Sequence, residues 1–333
     1  MIFIDYRKPS LIKEILLFDK KKLNTGPLWQ IPLKPPKIVL ALVVKAFMTR
    51  FVVPFLIVLF TSCSNYGQLT FVTKLPHKIS ESSGLVQMND TTIWTIEDNG
   101  NKDEIYQVDF EGKLLNELKV KNAKNEDWED LAKDDQGNVY IADTGNNNSD
   151  REDLIIYKVP NPNIEPGDKI EAEKIEFSYS DQKDFSSKKE ELLFDCEAIF
   201  YRNQFLYLIT KNRSRPFNGE ARVYKVPAQK GSYKAEFIGS FKTCDEPNTC
   251  IVTSADISPD GKKIVLLGYG KLWVFTDFTL DNFTKGKMQT IELGATTQLE
   301  SVSFKPNSNT SLLLSDEERA DTGQNLYSFE LKQ

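Results

Sequence analysis

Histidine is almost missing from this 333-residue chain, which has only His77. That excludes multi-histidine zinc sites and leaves little room for a Ser-His-Asp triad. Cysteine is scarce. Cys63, Cys196, Cys244 and Cys250 are too few for a disulfide-built scaffold or a zinc cluster of paired C-x-x-C motifs. No stretch offers a convincing long amphipathic helix. Apolar residues at 40% and charged residues at 27% are ordinary for a globular chain, which argues against disorder, collagen and a polytopic membrane protein. At roughly 100–200 residues per domain the length fits about two domains or one large one.

Charge is unevenly spread. Residues 1–63 hold ten Lys/Arg and three Asp/Glu, leaving 32 basic and 45 acidic residues beyond them. The body thus carries −13 inside a whole-chain net of −6. Such a body repels polyanions, so nucleic acid is not an expected partner.

The N-terminal region reads as an address. Met48-Thr49-Arg50 precedes ten apolar residues, 51–60, and then Thr61-Ser62-Cys63. A short basic region, an apolar core of about 7–15 residues and small residues before a cut make a secretory signal. A Cys at the cut resembles the lipobox of bacterial lipoproteins, with Phe60 where Leu is usual. That resemblance implies a signal peptide over 48–63, diacylation of Cys63 and a membrane-anchored lipoprotein of the bacterial cell envelope, inner or outer membrane left open. Two acyl chains anchor stably without a spanning helix. The competing reading is a transmembrane helix over 38–60. It would contain Lys45, Arg50 and a kinking Pro54, at about 2.5–3.5 kcal/mol per central charge. Residues 1–47, basic and interrupted by Pro32, Pro35 and Pro36, are set outside the fold as an upstream extension.

From residue 68 onward short apolar or alternating runs are separated by turn signals, which is strand patterning. Five segments align, at Ser83-Gly84-Leu85, Glu129-Asp130-Leu131, Glu197-Ala198-Ile199, Ser254-Ala255-Asp256 and Glu300-Ser301-Val302. Each leads through a turn into a second apolar run (92–96, 138–142, 205–210, 263–268, 311–315), a polar loop and a third run bearing an aromatic. Strand, turn, strand, loop, strand, strand is a propeller blade. The expectation is an all-β, five-bladed β-propeller over 68–333. The short last unit would borrow its fourth strand from residues 69–75, closing the ring and removing an exposed edge. Residues 161–189, with Pro and charge clusters, read as a surface loop inserted in the second unit.

In that architecture the starts of the innermost strands and the loops after the second strands share one face. Ser83, Glu129, Glu197, Ser254 and Glu300 would then ring the channel mouth with oxygens. Converging carboxylates repel, by about 4 kcal/mol at 4 Å and an effective dielectric of 20, so either their pKa values rise or a cation sits among them. Oxygen ligands without His or Cys select a hard cation, with Ca²⁺ favoured over Mg²⁺. For a single such Glu, capping a strand and binding water is the simpler account. Repetition in register favours the metal.

Ser83-Gly84-Leu85, Trp128-Glu129-Asp130-Leu131-Ala132 and Glu300-Ser301-Val302-Ser303-Phe304-Lys305-Pro306 resemble two related kinds of five-bladed propeller. These are the SdiA-regulated bacterial propeller family and the calcium-activated nucleotidase (apyrase) family. The nucleotidase likeness implies a central Ca²⁺ held by Ser and Glu side chains. The substrate-binding loops of that family have no match here, so the likeness speaks for fold and metal more than for nucleotide hydrolysis.

Two functions follow. In the first, a monomeric, lipid-anchored propeller binds Ca²⁺ and offers its channel-mouth face to a small anionic ligand or a protein partner. In the second, it is a Ca²⁺-dependent phosphohydrolase acting on nucleotides or phosphate esters. There Asp98, Asp127 or Asp316 would serve as carboxylate base, and Arg213 and Arg319 would clamp the phosphate. Lys211, Arg213 and Arg215 would form a basic cluster on the channel-mouth face that suits phosphate or carboxylate and that Arg319 could join, the simpler account being a solvated loop. Arg151 could join that basic cluster. The loop 143–148 (Asp-Thr-Gly-Asn-Asn-Asn) is oxygen-rich enough for a second metal loop, but it lacks EF-hand spacing and reads rather as a turn. Cys244 and Cys250 bracket a turn sequence and are expected to form a disulfide in an exported chain. Cys196 reads as a buried strand residue and His77 as structural.

Overall fold

The structure is a computed structural model and describes residues 66–332 except 187 and 321. Strands dominate them. In chain order they are β1 (Thr70–Lys74), β2 (Ser82–Gln87), β3 (Thr92–Glu97), β4 (Glu104–Asp109), β5 (Leu114–Lys121), β6 (Trp128–Lys133) and β7 (Val139–Asp143). Next come β8 (Leu154–Val159), β9 (Lys169–Glu171), β10 (Glu173–Tyr179), β11 (Asp195–Arg202), β12 (Phe205–Lys211), β13 (Glu220–Pro227) and β14 (Gly231–Lys242). The last are β15 (Ser254–Ile257), β16 (Ile264–Gly268), β17 (Lys271–Thr276), β18 (Lys287–Glu292), β19 (Leu299–Phe304), β20 (Ser311–Asp316) and β21 (Asn325–Glu330). No helix among the described residues is long and apolar enough to cross a membrane.

Antiparallel pairing sorts the strands into five runs: β2-β3-β4-β5, β6-β7-β8-β10, β11-β12-β13-β14, β15-β16-β17-β18 and β19-β20-β21-β1. The first strands of the runs adjoin one another in a closed circuit, β2 to β6, β11, β15, β19 and back to β2. Burial follows position. β2, β3, β6, β7 and β19 are buried almost throughout, and most of their residues are apolar or small, the charged exceptions being Glu97, Glu129, Asp130, Lys133, Asp143 and Glu300. Outer strands alternate: in β10, Ile175, Phe177 and Tyr179 are buried while Glu173, Lys174 and Glu176 are exposed.

Five apolar clusters fill the spaces between neighbouring runs. Trp94 and Ile96 of the first run meet Trp128, Leu131 and Ile141 of the second. Tyr140 and Ile156 of the second meet Ile199 and Leu206 of the third. Ile209 and Val223 then face Leu266 and Trp273, and Leu267 and Leu272 face Leu299 and Leu312. The circuit ends where Leu313 and Leu326 pack on Leu85 and Ile93. This is a β-propeller-like fold.

β1 pairs antiparallel with β21, Thr70 opposite Ser328, and so supplies the outer strand of the last run. Residues 161–189 are more than a surface loop. They contain β9, which adds parallel to the outer edge of β5, and β10, which pairs antiparallel with β8 and parallel with β14. The second and third runs thereby join into one eight-stranded sheet. Pro160, Pro162, Pro166 and the charges conceal the alternation of Ile175, Phe177 and Tyr179 that makes the strand. The proposed signal, with Met48 and Cys63, lies outside the described residues.

Candidate functional site

Three innermost strands carry a glutamate at a β-bulge. The register slips at Glu129 in β6, at Glu197 in β11 and at Glu300 in β19. A bulge adds one unpaired residue and turns its side chain off the ladder, a device common beside functional sites. All three glutamates line one cavity of about 310 Å³, together with Ser83, Asp98, Asp127 and Glu317. The loops after the second strands complete it. Asp98 follows β3, Tyr269 follows β16 and Glu317 follows β20, while Lys211 ends β12 with Arg213 two residues on.

Six carboxylates therefore face two cations in this cavity. The cations are already engaged. Lys211 Nζ lies 2.8 Å from Glu197 Oε2 and Arg213 Nη2 lies 2.7 Å from Glu197 Oε1, while Arg213 Nε bonds Asp195. Burial works against the charge on Lys211, but Glu197 and Glu300 outweigh it and hold the ammonium well above its ordinary range. The Tyr269 hydroxyl donates to Glu300 Oε1 at 2.6 Å.

The remaining carboxylates crowd one another. Burial, then Asp98, Asp195 and Glu197, push Asp127 up to about 7. Burial pushes Glu300 up to about 7 despite Lys211, and burial with Glu300 pushes Glu317 up to about 8. Glu129 is raised well above the usual carboxylate range by burial and by Glu197. Its carboxylate has no hydrogen-bond or ion-pair partner among the described residues, although it is only 6% exposed.

Two carboxylate trios could hold an ion, Asp98/Asp127/Glu129 and Glu129/Asp195/Glu197, each with oxygens within 4.8 Å of one another. The second already contacts Lys211 and Arg213. The first has no Lys or Arg paired with it among the described residues. Gly145 helps to shape it: a Cβ there would lie 2.2 Å from Glu129 Oε1 and 2.3 Å from Asp127 Oδ2. The loop 143–148 packs on this trio through the Thr144 and Gly145 amides, which both donate to the Asp127 carbonyl. Arg151 braces that loop, donating to the Gly145 carbonyl at 2.8 Å and pairing with Asp143, and is not part of the cavity wall.

Several expected site residues stand elsewhere. Ser254 is buried outside the cavity, where its hydroxyl donates to Asp130 Oδ1 at 3.0 Å and accepts from the Val302 amide. Its contacts match those of Asp130, which likewise binds the amide two residues beyond the next bulged glutamate, Ile199. Ser254 thus sits one position past the glutamate register. In β2 the bulge falls on Gly84, so Ser83 sits one position before it, donating to the Glu129 carbonyl. Gly84 is obligatory: its φ is +68° and a Cβ would lie 2.6 Å from the Leu131 nitrogen. Asp316 is buried against the Tyr327 hydroxyl and the Asn325 amide, both at 2.7 Å. Arg319 is exposed and reaches Gln298 Oε1 rather than the cavity. His77 is exposed on a turn after β1. Cys244 and Cys250 form a disulfide, and Cys196 is buried as a free thiol. Asp195, Tyr269, Gln298 and Glu317 belong to the site and escaped the sequence reading. Their signal was position, directly before the Cys196-Glu197 pair or directly around a second-strand end or an innermost strand.

No protein-family model matches the sequence, and no curated protein matches it. Among solved structures the chain is similar to the PQQ-bound form of aldose sugar dehydrogenase from Streptomyces coelicolor. The identity is 10% and the TM-score 0.46, over 79% of this chain and 98% of that one.

Proposed function

We propose that residues 68–333 form a five-bladed β-propeller that binds a divalent cation at its channel mouth and presents that face to a ligand or partner. The observation that carries this is Glu129, a buried carboxylate with no partner among the described residues, held within reach of Asp98 and Asp127. Buried charges are paired or coordinate metals. The five interleaved apolar clusters support the blade count. Oxygen-only ligands favour Ca²⁺, and the ligand set is Asp98, Asp127 and Glu129, with Glu197 and Glu300 turned toward Lys211 and Tyr269. The lipobox-like Cys63 supports anchoring in a bacterial envelope, tested by palmitate labelling of wild type and Cys63→Ala.

The cation reading is tested by thermal melting in Ca²⁺ and in EDTA. Binding only to the native state raises stability by RT ln(1+[L]/Kd). Wild type should melt higher with Ca²⁺, and Glu129→Gln should lose most of that difference. Superimposable wild-type curves would sink the reading. Lys211 and Arg213 on the cavity wall favour a second reading, the phosphohydrolase, because cations beside a metal suit phosphoryl groups. Metal-dependent phosphate release from nucleotides or phosphate esters, lost in Glu129→Gln, would support it.

A further inference from the structure

Beside the acidic cavity lies a groove of about 790 Å³ with the opposite character. Lys211 and Arg213 form the wall between the two. The groove adds Lys189 and Arg215, so four cations and, among the described residues, no carboxylate line it. In a body that carries −13, a concave surface free of acids is a departure from the surrounding charge. The neighbouring acids Glu190, Glu191 and Glu246 do not line it.

Backbone bonds build this arrangement. The Arg215 amide donates to the Lys189 carbonyl at 2.8 Å, and the Arg213 amide donates to the Leu192 carbonyl at 3.0 Å. Segment 189–192 is thereby held against 213–215, which brings Lys189 beside Arg215. Neither side chain has a hydrogen bond or ion pair among the described residues, and Arg213 keeps Nη1 unengaged after binding Asp195 and Glu197. Asn148 and Asn248 add amide groups to the lining, and Leu192, Phe217 and Ile251 add apolar surface. Lys211 and Arg213 are partly neutralised by Glu197 and Asp195, whereas Lys189 and Arg215 stand together without a counter-charge among the described residues, an arrangement that a shared anion relieves.

We propose that this groove binds a small organic anion with a doubly charged tetrahedral head and an apolar body. Arg and Lys donors converge on the head, as they do on phosphoryl groups generally. The apolar wall takes the body, and the volume falls within the roughly 300–1,000 Å³ of small-molecule sites. The inference goes beyond the cation site and stands whether or not an ion occupies Asp98, Asp127 and Glu129.

The test is calorimetric titration of phenylphosphonate into the full chain in EDTA. Saturable binding is expected, weakening with added salt. Lys189→Ala/Arg215→Ala should weaken it by about tenfold or more. Lys189→Arg/Arg215→Lys, which keeps the charge, should retain most of it. Both residues are exposed, and circular dichroism checks that each variant is folded. Benzoate should bind more weakly and benzyl alcohol not at all. No binding by wild type would overturn the proposal. So would unchanged binding in the alanine double variant, or benzyl alcohol binding as well as the phosphonate. Binding that requires added Ca²⁺, and is lost in Glu129→Gln but kept in the alanine double variant, would place the anion at the channel mouth, leaving the cation reading intact and overturning this one.

Discussion

Lys211 Nζ lies 2.8 Å from Glu197 Oε2, with both side chains almost wholly buried. The lysine ends β12 and the glutamate occupies the bulge of the adjoining β11, so one hairpin places an ammonium inside a carboxylate cavity. Breaking a buried pair by removing one partner costs about 3–5 kcal/mol, because a charge is left uncompensated. Lys211→Met should therefore be strongly destabilised in urea unfolding. Lys211→Met/Glu197→Gln should recover much of the loss. A single variant as stable as wild type would show the pair to be dispensable.

Proton linkage gives a second expectation. Asp127 and Glu300 are pushed up to about 7 and Glu317 to about 8, against ordinary carboxylate values near 4 when unfolded. Between those values the native state holds protons that the unfolded state has released. These groups therefore favour folding at low pH, and that contribution is lost as pH rises through about 7 to 8. In EDTA the melting temperature should be higher near pH 6 than near pH 8.5. Ca²⁺ replaces the protons, so its stabilising effect should grow over the same interval. A melting temperature in EDTA that climbs with pH would contradict the assignment.

Gly145 can be tested apart from the carboxylates. A Cβ there would press on both Glu129 and Asp127. Gly145→Ala should weaken Ca²⁺ binding by about tenfold or more, as loss of a positioning contact does at metal sites, while the metal-free protein stays folded. Terbium luminescence titration reads this directly. An affinity equal to wild type would remove Gly145 from the site.

Asp130 belongs to stability. Buried at the ring's centre, it accepts from the amides of Leu131, Ile199 and Ala255 and from the Ser254 hydroxyl, so it ties β6 to β11 and β15. Each donor left unsatisfied costs about 1–3 kcal/mol, so Asp130→Ala should lose at least about 3 kcal/mol in urea unfolding. A loss under about 1 kcal/mol would mean that water or a rearrangement satisfies those donors.

The unit pattern was legible because Glu129, Glu197 and Glu300 recur before similar apolar runs, and the structure gathers all three in one cavity. The remaining two units were aligned one residue out, Ser83 before the bulge and Ser254 after the glutamate position. A bulge is a backbone event that leaves no mark of its own in sequence, and a one-residue slip turns a side chain to the other face. Asp316 was drawn toward the mouth by the same proximity. It ends β20 facing Tyr327, while the next residue, Glu317, lines the cavity. Lys211 and Arg213 were placed at the mouth, but their engagement by Glu197 and Asp195 required three-dimensional distances.

The pairing of Thr70 with Ser328 also bears on the order of synthesis. Among the described residues β1 is the first strand and β21 the last, so their seam cannot form until all the strands between them have been made. Until then β1 has an unpaired edge and the last sheet lacks its outer member, an arrangement that slows folding and invites mispairing.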